Sequence, residues 1–361
     1  MKRTSLFNLT AALLAGAFSA TAAEATLGIG DPAPKLAVGE WVQGEPVKEF
    51  QKDKIYIVEF WATWCGPCRT SIPHLNEIHT KFKDKGLVVI GQNVWERDET
   101  LVKPFIAKMG DKMTYRVVMD DKSEKEKGAM AETWMQAAGQ NGIPAAFLVG
   151  KDGKIAWIGH PMSLKDSVVE EVLAGTFDVA KAAAEFKKQR ESRTEMTRLS
   201  RQFGEAMKDK KWDEADAALS EIAKLMPDGQ KDSVAAARLQ ILLGKGDTEA
   251  AASLAEQISE RAKGNGAMQN RLAWQLLSQE NLSGKALATA HAIAVKANDA
   301  AGGKDASTLD TLARATYMKG DKAKAIELQQ KAVELAEDED LKKQLQSNLD
   351  SFKKDQLPKA D

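Results

Sequence analysis

The chain has 361 residues, with 43% hydrophobic and 29% charged side chains and a formal charge of −1. That length asks for two domains, and the balance is that of a folded globular protein. With no basic patch, the composition argues against a dedicated nucleic-acid binder.

The N-terminus has three zones: positive Met1-Lys2-Arg3, a mostly apolar stretch from Leu6 to Phe18, and Ala20-Thr21-Ala22 as an A-x-A site. The apolar stretch is too short to span a bilayer comfortably, so residues 1–23 read as a secretory signal peptide. No cysteine stands near the cleavage site to carry a lipid, and no later segment is apolar enough to cross a membrane. The expectation is an exported protein of a periplasmic or other extracytoplasmic compartment, soluble after cleavage.

Residues 24–54 read as an extended entry segment with a turn at Asp31-Pro-Ala-Pro34. Ile55 to Phe60 is a short β-branched run, hence a buried strand. Ile72, Leu75, Ile78 and Phe82 place a helix over Arg69 to Lys83, and Leu87 to Gly91 is a second buried strand. An amphipathic stretch (Glu99 to Met109), a strand (Tyr115 to Met119) and a helix (Glu124 to Ala138) follow. A hairpin of Ala145–Val149 and Lys154–Ile158 comes next, then a closing helix from Leu164 to Leu173 stopped at Gly175. Strands alternating with helices imply an α/β layer structure over 24–176.

From about residue 178 the chain is alanine-rich with helical period throughout. Ala215, Ala251, Ala288 and Ala325 recur at intervals of 36, 37 and 37 residues. Ile222, Ile258, Val295 and Ala332 follow seven positions later, and Lys210, Gly246, Ser283 and Gly320 come five positions before, where a turn would fall. A turn residue, a small residue at a helix crossing and an apolar one two turns on describe stacked helical hairpins over 177–361. The unit ending at Pro227 and the last one resemble tetratricopeptide repeats, which implies protein partners held by the repeats.

Both cysteines lie in Glu59-Phe-Trp-Ala-Thr-Trp-Cys-Gly-Pro-Cys68. A staple that closes so small a loop adds little stability through chain entropy. A zinc site would need His74 and His79. The gap between the pairs is five residues rather than about a dozen, and the two histidines point roughly 140° apart on a helix. The redox reading explains the neighbours. A strand ends at Phe60, Cys65 sits at a helix start whose free N–H groups favour a thiolate, and Cys68 is close enough to resolve a mixed disulfide. Gly66 and Pro67 permit the tight turn.

These residues closely resemble the thioredoxin active site, and the layout of about 28–176 is similar to the exported thioredoxin-like proteins of the TlpA and ResA group. The resemblance implies a thioredoxin-like α/β fold and thiol–disulfide oxidoreductase activity with no cofactor. Cys65 would be the nucleophile, Cys68 the resolver, and Glu59, six residues before Cys65, the buried carboxylate that handles the proton of Cys68. Pro73 matches the proline that kinks the active-site helix. Asn141-Gly-Ile143-Pro144 matches the segment with the cis-proline opposite the active site, which gives a substrate groove of Trp64, Gly66, Pro67, Ile143 and Pro144. Ala145 departs from the usual threonine, and 92–125 holds an extra strand and helix. The Gly-Pro dipeptide resembles the reducing end of the family, so the expected activity is reduction of client protein disulfides, with recharging by a membrane electron donor. Peroxiredoxins lie on the same branch, but here Ala62 stands where their threonine would be, three residues before the cysteine, and no proline precedes it. The contrasting expectation is a binding scaffold that uses the thioredoxin-like domain only as a dock.

Overall fold

In the computed structural model, residues 25–227, 231–280 and 282–359 are described; the expected signal peptide lies outside them. Two compact units divide at Arg193/Thr194, within helix Val179–Lys208.

The first unit is a six-stranded mixed sheet with helices on its faces. Its strands are β1 (Val38–Gln43), β2 (Ile55–Trp61), β3 (Leu87–Asn93), β4 (Arg116–Asp120), β5 (Ala145–Val149) and β6 (Ile155–Gly159). They lie in the order β1-β4-β3-β2-β5-β6. The pairs β2–β3 and β3–β4 are parallel, and the other three are antiparallel.

Strand β2 is buried on both faces, so its side chains divide between two cores with period two. Ile55, Ile57 and Trp61 face helices α1 (Gly66–Phe82) and α3 (Asp166–Ala174); Tyr56, Val58 and Phe60 face the segment around Trp134. Glu59 shares the parity of Ile57 and Trp61 and therefore points toward α1. Helix α2 (Val102–Met109) and β4 occupy the interval where an extra helix and strand were expected.

Three local expectations need correction. First, β1 lies in the entry segment; it pairs irregularly with β4 at the sheet edge, so its sequence lacks strand alternation. Second, the helix expected over Glu124 to Ala138 is reduced to a π-helical turn at Ala131–Gln136. Gly128 takes φ +94°, and the buried Asp120 carboxylate accepts hydrogen bonds from the N–H groups of Met130 and Ala131 at 2.8 and 3.0 Å, which starts the turn only there. The third concerns the register of the helical unit.

That unit contains the second half of α4 (Val179–Lys208) and then α5 (Trp212–Leu225), α6 (Lys231–Lys245), α7 (Thr248–Arg261), α8 (Gly266–Leu277), α9 (Gly284–Ala300), α10 (Ala306–Met318), α11 (Lys322–Leu335) and α12 (Glu339–Lys353). Helices α5, α7, α9 and α11 start after Lys211, Asp247, Ser283 and Asp321. Turns with left-handed backbone precede or open them at Lys210, Gly246, Gly284 and Gly320. Ala215, Ala251 and Ala325 are buried, as are Ile222, Ile258 and Ala332. In α9 the register is two residues earlier: Ala288 is exposed and Val295 only half-buried, while Ala286 and Ile293 take the buried places. The buried Asp310 carboxylate accepts from Gln329 and Asn348 at 2.8 and 2.9 Å, which ties α10, α11 and α12 together.

Candidate active site

Cys65 caps α1: its backbone is extended, and its Sγ accepts the N–H of Cys68 at 3.1 Å. The two sulfurs form a disulfide, with Cα atoms 5.3 Å apart. Cys68 is completely buried and Cys65 is 3% exposed, so Cys65 is the sulfur that has access to a partner. When the pair is reduced, the helix N-terminus that now faces Cys65 Sγ would stabilise its thiolate. Pro67, in the first turn, has no N–H to leave unsatisfied, and Pro73 lies within the helix.

Trp61 is buried, whereas Trp64 is 42% exposed beside Cys65. Gly66 and Pro67 are exposed, Ile143 is half-buried and Pro144 is buried. The Ile143–Pro144 peptide bond is cis. The β2–β5 register ends at Phe60↔Ala145, so this bond comes at the strand end from which the cysteine loop departs. His74 Nε2 meets the Leu164 carbonyl at 3.1 Å, and the ring of His160 accepts the Met162 N–H at the short turn after β6.

On the α1 side of β2, Glu59 is fully buried. Its Oε2 accepts the Tyr115 hydroxyl at 2.8 Å and its Oε1 the Ser71 hydroxyl at 3.4 Å. The single hydroxyl hydrogen of Ser71 is shared with the Cys68 carbonyl, 3.1 Å away, which links the carboxylate to the turn that carries the second cysteine. Burial pushes the Glu59 carboxyl up to about 8, against the two hydrogen bonds, which hold it down. A carboxyl in that range exchanges a proton near neutral pH.

A second group lies in front. Glu96, on the turn after β3, accepts the Thr63 N–H and hydroxyl, each at 2.8 Å, and the Asn93 amide at 3.2 Å. The Trp95 carbonyl accepts the Trp64 indole N–H at 3.0 Å, and the Arg97 guanidinium lies 5.0 Å from the Trp64 ring centre. Trp95 holds φ +52°, a backbone region that costs a bulky residue energy. Arg69 donates twice to the Thr63 carbonyl. The turn 93–97 thus fixes the loop that ends at Cys65.

Sequence reasoning missed Tyr115 and Ser71 as partners of Glu59, and Glu96 altogether. Glu96 stands in no regular element and carries no motif; its polar position just beyond a buried strand end was the one available signal. Changing Glu96 to Ala is expected to slow attack by Cys65 about tenfold through lost positioning, with Glu96→Gln closer to wild type. Stopped-flow rates of disulfide exchange check this; equal rates for all three proteins would remove Glu96 from the site.

A model of the AhpC/TSA family matches residues 29–158. Protein FixW of Rhizobium leguminosarum is 34% identical over 158 residues, covering 42% of this chain and 69% of that protein. The thiol-disulfide oxidoreductase ResA of Bacillus thuringiensis subsp. konkukian (strain 97-27) is 33% identical over 134 residues, 37% of this chain and 69% of the relative. Among solved structures, a thiol-disulfide isomerase from Corynebacterium glutamicum aligns with 22% identity and a TM-score of 0.35, over 41% of this chain and 97% of its own. With the disulfide at the head of α1, the two relatives place the protein among the thiol–disulfide oxidoreductases of the ResA type, and its residues 29–158 are those that match the AhpC/TSA model.

Proposed function

We propose that the protein is an exported disulfide reductase of client proteins, with residues 24–176 as its catalytic thioredoxin-like domain and 177–361 as tetratricopeptide-like repeats that recruit partners. The observation that carries this reading is the cysteine pair: an outer Cys65 at the cap of α1, bonded to a buried Cys68 whose carbonyl is linked through the Ser71 hydroxyl to the buried Glu59. In the reduced protein the Cys65 thiolate attacks a client disulfide, forming a mixed disulfide and releasing one client thiolate. Cys68, its proton taken up by Glu59, then attacks Cys65 Sγ and releases the second client thiol. Two electrons pass to the client, and the Cys65–Cys68 disulfide remains. Trp64, Gly66, Pro67 and Ile143 border the bound segment, whose backbone pairs alongside Pro144. A membrane electron donor returns the pair to the dithiol.

The export reading rests on the three-zone N-terminal sequence; among the described residues no helix is long and apolar enough to cross a membrane. The reducing direction rests on the Gly66-Pro67 dipeptide, and the role of the repeats on the all-helical unit of α5 to α12.

Full-length Cys68→Ser is the test. It is expected to accumulate mixed disulfides through Cys65 with proteins of the exported compartment, identified by mass spectrometry, whereas Cys65→Ser accumulates none. A potential near that of thioredoxin, about −270 mV, supports reduction; one near the strong oxidants, about −120 mV, reverses the direction. Equal alkylation of Cys65 and Cys68 in dithiothreitol and oxidised glutathione would end the redox reading.

A further inference from the structure

Glu59 needs a fixed orientation if it is to exchange a proton with one sulfur and not be lost in an apolar core. Its two hydrogen-bonding partners differ. Ser71 has a single hydroxyl hydrogen and two acceptors within reach, the Cys68 carbonyl at 3.1 Å and Glu59 Oε1 at 3.4 Å, and the nearer is the carbonyl. Tyr115 is fully buried, and its hydroxyl hydrogen goes to Glu59 Oε2 at 2.8 Å. A phenol can donate to a carboxylate and accept from a carboxylic acid, so this contact survives both protonation states.

The ring is also held. Tyr115 precedes β4, and its carbonyl accepts the Gln43 side-chain amide at 2.6 Å. Its edge packs against the His79 ring, with centres 6.3 Å apart. Opposite Glu59 in the β2–β3 register stands Gly91. A Cβ there would come within 2.9 Å of Tyr115 Cε2 and 3.1 Å of Trp61 Nε1, so only glycine leaves the ring its place.

We infer that Tyr115 is a positioning residue for the thiol–disulfide reaction: its hydroxyl holds the Glu59 carboxyl toward the Cys68 turn through both halves of the cycle. This rests on the reading of Glu59 as the proton relay of Cys68. The groups that meet Glu59 are Ser71 from α1, which also reaches the Cys68 carbonyl, and Tyr115 from the strand side; β3 and β5 offer Gly91 and Ala146 at the paired positions. His79 faces Tyr115 and is held below its ordinary value by burial and by Lys83 and Arg116.

The test uses reduced full-length protein and a chromogenic aryl disulfide, which releases one aryl thiolate when Cys65 attacks and a second when Cys68 resolves. The pH dependence of the second release is measured from neutral to alkaline conditions. Tyr115→Phe removes a donor to the carboxylate, and its limb is expected about one pH unit above wild type. Ser71→Ala should shift it less. Glu59→Gln should have no such limb, and adding Tyr115→Phe to it should change nothing further. Circular dichroism establishes that each variant is folded. If Glu59→Gln removes the limb while Tyr115→Phe leaves it at the wild-type pH, the positioning role is wrong and the relay stands. A Tyr115→Phe shift that persists in the Glu59→Gln background also overturns it. If Glu59→Gln keeps the wild-type limb, the relay itself fails and the inference falls with it.

Discussion

Replacing Glu59 by Gln is expected to slow resolution of the mixed disulfide by about a hundredfold, the low end of what a positioned proton acceptor contributes, and to stabilise the folded protein. The two effects have one cause. The carboxyl is buried completely, and its value of about 8 stands far above the ordinary 4.5. The unfolded chain therefore releases this proton near 4.5, while the folded protein keeps it until about 8. Folding takes up a proton in that window, so the contribution of Glu59 to stability is fully present below about 4.5 and is lost as pH rises to about 8. At about 1.4 kcal/mol per pH unit, the full loss is on the order of 5 kcal/mol. Glutamine does not titrate and can still accept from Tyr115. The advantage of Glu59→Gln should hence grow between mildly acidic and mildly alkaline pH and then level off. Asp120, pushed up to about 6 by burial, also titrates in this range, and burial pushes His79 down from its ordinary value, but both are common to the two proteins and cancel in the difference. Urea unfolding at a series of pH values measures it. Parallel curves for wild type and Glu59→Gln would mean that the carboxyl is not desolvated in solution.

The same pair of groups marks the limit of what the sequence discloses. Strand, tight turn, capping cysteine, first-turn proline and helix all lie within about thirty residues, and each acts on its neighbours, so Cys65, Cys68 and the inward parity of Glu59 were legible directly. The partners of Glu59 and Thr63 were not. Tyr115 is 56 residues from Glu59, and Glu96 is 33 from Thr63; they arrive through the sheet order β4-β3-β2, which hydrophobic period does not encode. Strand β1 escaped because edge pairing with irregular register leaves Gly39 and Glu40 in the strand. The repeat pitch was readable from alanine spacing, but α9 reads GKALATAHAIA, and so many small residues leave its register to packing. Ser283 also makes no side-chain cap bond, unlike Asp247 and Asp321, so no capping signal corrected the alignment.

Trp134→Ala is expected to cost the first unit about 3–5 kcal/mol, as for other fully buried aromatic truncations. Trp134 is the anchor of a segment that has little regular structure of its own. Its ring meets Phe147 edge-on at 5.3 Å and reaches Phe50 at 6.0 Å and Phe60 at 6.2 Å, and its indole N–H donates to the Lys35 carbonyl at 3.4 Å. The single π-helical turn that carries it supplies few backbone bonds, so side-chain packing has to hold the segment. The next residue but two, Ala137, accepts the N–H groups of Thr26 and Leu27 through its carbonyl, and the chain then runs to the cis peptide at Pro144. Cys65, Cys68 and Glu59 belong to the opposite face of the sheet, so the disulfide should still form in the variant. What should suffer is the seat of the Ile143–Pro144 loop, seen as weaker binding of client segments with an almost unchanged rate of attack on a small disulfide. Hydrogen exchange of the β2 and β5 amides measures the stability of this unit separately from the helical one. A loss below about 1 kcal/mol would show that the loop is held by its own backbone, and that the aromatic cluster is packing alone.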